Sequence, residues 1–349
     1  MPRKNKAALA AETPSPPAPI VAYKGFDQDF TCRGFRYEVG RTERHDGPVV
    51  ACQSGFHACE HPLNVFKYYA PATSRFAEVE LRGQTDRESG GDTKIAAAEI
   101  TIKAELKLPQ LIERAVRYVM DRVTWVEGPV TDRPGEAVRS NKDGDAATAS
   151  GSQGAATASG ERGAATASGY GGAATASGNR GAATASGTGG AATASGERGA
   201  ATASGIEGAA TASGYGGAAT ASGERGAATA SGYGGAATAS GIEGAATASG
   251  YGGAATASGN RGAATASGTG GAATASGDWG AATASGKNTI AVASGRGGKV
   301  RGVTGSDLVL REFDDTGNVI ARWMGTVGQD GIKPMTWYTL RRGKPVEIV

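Results

Sequence analysis

Apolar and polar positions along this chain keep two different rhythms. From residue 146 to residue 295 the segment Ala-Ala-Thr-Ala-Ser, flanked by glycine, returns every nine residues. Sixteen copies, from 146–150 to 281–285, are intact. Ile290-Ala291-Val292-Ala293-Ser294 is a degenerate seventeenth, and Ala137-Val138-Arg139-Ser140-Asn141, one register earlier, reads as a cap rung. Atypical end units are what a stacked array needs, because its last rungs have no neighbour to cover them. Glycine on either side of each short segment, where the chain must turn tightly, predicts strand and turn in strict alternation. Gly/Ser-rich sequence is ordinarily flexible linker. Here the period never slips, and variation is confined to the two positions that follow Ser-Gly, so the expectation is an ordered β-solenoid.

Nine residues make one strand and one turn, so two units close a coil of eighteen. On such a coil Tyr215, Tyr233 and Tyr251 stack on one edge, above Arg162, Arg180 and Arg198 with Glu161, Asn179 and Glu197. The opposite edge stacks Glu207, Arg225 and Glu243 with alternating charge. A triangular coil of three units would mix these columns. The segment from Tyr170 to Gly196 is repeated verbatim from Tyr251 to Gly277, so duplication could also imitate such order. Strand side chains alternate between faces. Either Ala, Thr and Ser at the first, third and fifth positions point inward, or the two remaining Ala do. Ile290 and Val292 replace the first and third positions in the degenerate unit, which favours those as interior and makes Thr220→Lys a disruptive change.

The flanks read differently. Residues 1–19, basic and then Ala- and Pro-rich, read as a disordered tail, with a basic contact arm as the other reading. Residues 20–108 read as an α+β domain with strands at Ile20–Phe26, Gly34–Val39, Phe76–Leu81 and Ile95–Ile102 and a short helix at Leu63–Tyr69. Pro109 opens a helix carrying Leu111, Ile112, Ala115, Val116, Val119, Met120 and Val123 on one face, placed to cover the first rung. The remainder of 109–145, with Gly128–Gly144, is the connector to the solenoid at 146–295. Residues 296–349 form a small antiparallel β cap, with strands at Asp307–Phe313, Val319–Thr326 and Thr336–Leu340 and a fourth at Val346–Val349. The fold class is mainly β.

Composition narrows the function. With 58 Gly and only 6% aromatic residues, a large-side-chain core cannot run through all 349 residues. Between 146 and 295 the acids (Glu161, Glu197, Glu207, Glu224, Glu243, Asp278) balance the bases (Arg162, Arg180, Arg198, Arg225, Arg261, Lys287). This gives neither a DNA mimic nor a phosphate-binding rod its electrostatic footing, so no nucleic acid is expected on the solenoid. The turns lack the repeated Asp of calcium-binding nonapeptide rolls. No apolar run reaches the roughly 18–20 residues of a membrane span, and no secretion signal is evident. Cys32, Cys52 and Cys59, an odd set, suit reduced thiols in a cytoplasm-like compartment or a virion.

Every His and Cys falls between Cys32 and His61. Cys52, His57, Cys59 and His61 give a spacing outside the usual structural-zinc patterns, so no metal and no cofactor is expected. His57 with Tyr68, Tyr69 and Glu78 or Glu80 is similar to the His–Tyr–Glu set of ADP-ribosyltransferases, but packing is the commoner role of such residues, and no catalytic residue is assigned. The sharper resemblance lies in Lys24-Gly25-Phe26, Cys32-Arg33-Gly34-Phe35, Tyr37-Glu38-Val39-Gly40, Cys52-Gln53-Ser54-Gly55-Phe56-His57-Ala58-Cys59, Tyr68-Tyr69 and Lys94-Ile95-Ala96-Ala97. Residues 20–105 resemble an uncharacterised domain of phage and prophage proteins, the DUF7666 type, which often precedes short Ala/Thr/Gly repeats. The resemblance implies a phage or mobile-element origin and brings no activity.

The reading is therefore a non-enzymatic phage accessory protein, with a rigid solenoid that binds a protein partner or itself along the edge of Tyr215, Tyr233 and Tyr251. Two alternatives come from other classes. Thr-x-Ser arrays at strand spacing resemble ice-binding solenoids, which requires Thr to face outward, and the N-terminal domain could be an ADP-ribosyltransferase-like or nucleotide-handling enzyme.

Overall fold

A computed structural model describes residues 18–87, 92–125 and 128–348. The tail expected at 1–19 lies almost wholly outside them. In the N-terminal domain β1 (Ile20–Phe26), β2 (Thr31–Cys32), β3 (Phe35–Arg36), β4 (Thr42–Arg44), β5 (Phe56–Cys59), β6 (Arg75–Arg87) and β7 (Lys94–Leu106) precede helix α1 (Leu108–Met120). A 3₁₀ helix, Pro62–Lys67, takes the place of the expected helix at Leu63–Tyr69. The main sheet runs β4-β7-β5-β1-β6, and β6 pairs back onto β7, closing β1, β5, β7 and β6 into a ring. Phe26, Leu81, Ile95, Ile100 and Ile102 fill it. The strand expected at Gly34–Val39 is only the two residues of β3. Arg33 and Gly34 form a two-residue hairpin loop with both φ angles positive, at 51° and 79°, the backbone that such tight hairpins require.

The repeat is a two-sided β-solenoid of about ten turns over residues 130–310. Each four-residue strand pairs in parallel with the strand eighteen residues on, as Ala200–Ala203 does with Ala218–Ala221, so two units make one coil and the three-unit coil is excluded. One parallel ladder contains Ala155, Ala173 and Ala191, here called the front sheet, and the other contains Ala164, Ala182 and Ala200, the back sheet. The turns are laddered too, since the Arg162 N–H donates to the Asn179 carbonyl at 2.8 Å and the pattern repeats up the stack. The residue just before each unit's opening glycine sits near φ +60°, as in Arg198 (52°), Arg225 (55°) and Gly234 (64°). That backbone favours glycine, which fills the site in many units, while Gln153, Arg198, Glu207, Trp279 and Asn288 show that other residues also adopt it.

The facing expectation is reversed. Ala147 and Ala149, and their equivalents in every unit, are fully buried, so the second and fourth positions make the core. Thr220 and most of its equivalents point outward, half-buried, with the first-position Ala and the Ser, while Thr229 and Thr283 on the front sheet are covered. Four methyl groups per coil leave no room for a Thr and Ser interior. Ile290 and Val292 are outward as well, on the last repeat unit of the back sheet. β-branched residues are favoured on any pleated, half-covered surface, so their presence did not mark a core.

The ends are capped as the hydrophobic gradient predicts. Val138 begins the core, and Val300, Leu308, Leu310, Val327, Tyr338 and Leu340 finish it with the large groups that the repeat lacks. Asp307–Phe313 continues the back sheet and pairs antiparallel with Val319–Thr326, while Trp337–Arg341 with Lys344–Ile348 closes the front sheet. At the other end the cap rung expected at Ala137–Asn141 is present as the strand Glu136–Ser140, and the segment read as a connector holds a further rung at Val130–Thr131.

Helix α1 does not cap the end of the stack. It lies along the front sheet, touching the strands that begin at Ala173, Ala191, Ala209 and Ala227. Leu111, Ile112 and Ala115 join Leu63, Phe66 and Phe76 in one cluster with Ala191, Ala209 and Ala227, and Val119 packs with Ala137, Ala155 and Ala173. First-position Ala residues on the front sheet are buried from Ala137 to Ala245, whereas Ala182, Ala200, Ala218, Ala236 and Ala254 on the back sheet are exposed. Two sheets of identical repeat sequence thus have opposite surroundings.

Candidate functional site

Two features carry chemistry. The first is a cavity of about 620 Å³ in the N-terminal domain. It lies where β1 and β5, paired only at Tyr23 with Cys59 at the end of β5, leave the rest of β5 unpaired with β1. Residues Tyr23–Gly25 and Gly55–Cys59 line the two sides of the gap, and the hairpin of β2 and β3 forms another wall. Tyr69 closes one side, its ring lying where a Cβ on Gly25 would be.

Lys24 spans the gap. Its Nζ donates to the His57 carbonyl at 2.9 Å and lies 3.5 Å from Cys32 Sγ, which also accepts from Tyr69 Oη at 2.9 Å. The rings of Phe26 and Tyr37 lie 5.7 and 5.4 Å from the same Nζ. Lys24 is only 5% exposed, and burial pulls its pKa below the ordinary lysine value. His57 is held below the usual histidine range, chiefly by burial and then by Lys24. Its Nε2 is buried without a hydrogen-bond partner among the described residues. Cys59, almost fully enclosed, has its thiol pushed up to about 12 by burial and stays protonated.

The residues singled out in sequence are only partly brought together. Cys52, His57 and Cys59 line the cavity, but His61 turns away to cap the 3₁₀ helix, its Nδ1 accepting from the Leu63 N–H at 3.3 Å and its ring packing 5.1 Å from Tyr118 on α1. Among the described residues no three of His, Cys, Asp and Glu converge as metal ligands do. The His–Tyr–Glu set is not assembled either. Glu78 pairs with Arg114 and Glu80 with Lys103, and neither lines the cavity. Lys24 and Arg33 were missed as site residues. The clue was there, since an unpaired Lys stands inside the apolar run of β1.

His61 supplies a measurable pH dependence. Full burial lowers its pKa to about 4 from an ordinary 6.5, so the unfolded chain takes up this proton first as pH falls. Stability is therefore fully present above pH 6.5 and declines towards pH 4, by about 3 kcal/mol at 1.36 kcal/mol per unit. In urea titrations the loss between pH 7 and pH 4 should be smaller by that amount in His61→Asn, which keeps a capping side chain. Equal losses in the two proteins would refute the assignment.

The second feature is the outer surface of the rod. Tyr215, Tyr233 and Tyr251 form the expected column, with ring centroids 5.1 Å apart and planes within 3° and 14°. On the opposite edge Arg225 pairs with Glu243 at 3.1 Å and Arg261 with the same carboxylate at 3.5 Å, and Arg225 also donates to the Lys67 carbonyl of the N-terminal domain. The back sheet presents three parallel rows, of Ala, Thr and Ser, in register from rung to rung.

The fold and these surfaces define a capped β-solenoid carrying a small α+β domain on one of its two sheets. That domain has relatives: a family described as "Domain of unknown function (DUF7666)" matches residues 20–114, which takes in the strand ring and the first half of α1 but none of the repeat. No curated protein matches the chain. No solved structure matches it either.

Proposed function

We propose that the chain is a non-enzymatic phage or prophage accessory protein, a rigid rod whose back sheet binds a protein partner or a second copy. One observation carries this reading. The front sheet buries most of its outward Ala row, under the apolar face of α1 and the side chains of the 3₁₀ helix, and the back sheet repeats the same row, largely bare. The rows are regular because every rung is identical, and regular, preformed surfaces bind with little loss of conformational entropy. The stacked Tyr215, Tyr233 and Tyr251 extend the surface round one edge. The phage setting rests on the resemblance of residues 20–105 to that class of domain.

The test is a back-sheet triple variant, Ala200→Lys, Ala218→Lys and Ala236→Lys, compared with the parent by sedimentation and by affinity capture from infected or lysogenic cells. The variant should lose self-association or the captured partner, while Tyr215→Ser with Tyr233→Ser weakens either one less. Parent and variant behaving alike in both assays would remove the back sheet as the binding surface.

The outward Thr rows favour one other reading, adsorption to ice. Thermal hysteresis in the parent, abolished by Thr202→Lys, Thr220→Lys and Thr238→Lys together, is the outcome that would put ice in place of a protein partner.

A further inference from the structure

Independently of the rod, we propose that the cleft between β1 and β5 binds a small ligand in which a planar ring is joined to an anionic group, the anion meeting Lys24 and Arg33 and the ring lying against Phe35, Tyr37 and Phe56.

The anion follows from an imbalance of charge. Lys24, Arg33 and Lys94 line the cleft, against one carboxylate, Asp27. Lys94 is engaged with Tyr68 Oη at 3.1 Å, and Arg33 stands exposed on the hairpin loop at the rim. Lys24 is the decisive group. No carboxylate pairs with it among the described residues. A buried ammonium held only by a carbonyl, a sulfur and two ring faces is under-compensated, because removing a charge from water costs several kcal/mol unless an opposite charge accompanies it. An anion entering the cleft supplies that charge. The neighbouring His57 Nε2, buried and without a partner, is a further polar atom for the ligand to satisfy.

The ring follows from the wall. Phe35, Tyr37 and Phe56 pack edge to face, with centroids 4.9 Å apart for Phe35 and Tyr37 and 6.3 Å for Tyr37 and Phe56. Phe35 nonetheless remains 44% exposed. It is carried on a two-residue hairpin whose turn fixes it beside the opening, so the exposed ring is held in place. Preformed aromatic walls with a few placed polar groups are the usual make-up of small-ligand sites. A cleft of about 620 Å³ accepts a ligand of nucleotide size or smaller.

Calorimetry on the full chain tests this with four probes: AMP and benzoate, each a planar ring with an anion, and adenosine and inorganic phosphate, which carry one half each. At least one of AMP and benzoate should bind, with adenosine and phosphate at least about tenfold weaker, the loss expected when a charge-assisted hydrogen bond or a stacked ring is missing. Binding of AMP alone identifies a nucleotide-like source, and binding of both identifies aryl anions in general. Lys24→Met, similar in length but uncharged, should weaken the bound probe at least tenfold. Arg33→Ala, at an exposed loop position where folding is not at stake, should weaken it several-fold, and Phe35→Ala likewise. No binding of either ring-bearing anion overturns the proposal. So does phosphate binding as tightly as AMP, or affinity unchanged in Arg33→Ala.

Discussion

Ala219→Lys should break the solenoid, and Thr220→Lys, one residue along, should leave it standing. Ala219 faces Ala201 and Ala237 in the ladder and is 1% exposed. The interior at that level holds only methyl groups, so a lysine there must either bury an unpaired ammonium, at a cost of several kcal/mol, or push its strand out of the stack. Neighbouring rungs then lose their cover, because each coil is stabilised mainly by the coils beside it. Thr220 looks outward on the back sheet, where its replacement should change stability by no more than about 0.5 kcal/mol. Circular dichroism during heating, with trypsin cleavage at Arg198 and Arg225 as a second readout, checks both. The facing of the whole array is wrong if Thr220→Lys is the variant that opens it.

Almost as large an effect belongs to a glycine. A Cβ on Gly232 would lie 1.9 Å from the Gly214 carbonyl oxygen of the preceding coil and 2.5 Å from its carbon. Both atoms are backbone held in the turn ladder, so neither can swing aside. Gly232→Ala should therefore separate two coils locally and cost about 1–3 kcal/mol or more, as overpacking does. Two residues on, Gly234 has φ +64° and open space around it. Arg198 occupies the equivalent site two coils earlier, so Gly234→Arg should cost only the left-handed backbone preference, about 1–2 kcal/mol. Urea midpoints of the two variants measure the difference, and a Gly232→Ala protein as stable as Gly234→Arg would mean that the coils are not stacked this closely.

The repeat made the solenoid legible because its chemistry is local. Period, turn glycines, coil length and the Tyr215–Tyr233–Tyr251 column all follow from residues nine or eighteen apart. Facing was not legible, because alternation allows two answers and the interior methyls of Ala147 and Ala149 look the same in sequence as the exterior methyl of Ala146. Ile290 and Val292 tipped the choice the wrong way. The placement of α1 was hidden for a different reason. Its apolar stripe was readable, but identical rungs give no sign of which sheet or which level it covers. The cleft depends on β1 and β5 meeting at one residue pair, with the rest of β5 left unpaired with β1. No spacing between residues 20 and 60 records that, so Lys24 read as part of a strand and not as the floor of a cavity.

The structural period of eighteen is twice the genetic period of nine, and this governs how such an array can be inherited at different lengths. Gain or loss of two units leaves every downstream residue on its own face and delivers the C-terminal hairpins to the sheets they close. Gain or loss of one unit turns everything beyond it by half a revolution. The duplicated stretch illustrates the second case. Tyr170–Gly196 recurs at Tyr251–Gly277, nine units and four and a half coils later, so Ala173 is buried on the front sheet while its copy Ala254 is exposed on the back. A unit that can be copied to either side must be able to serve on both. Thr175, Thr211 and Thr229 bear this out on the covered front sheet, where their buried hydroxyls find no partner among the described residues. Unpaired hydroxyls are a recurring cost, about 1–3 kcal/mol each on general grounds, of keeping the parts interchangeable.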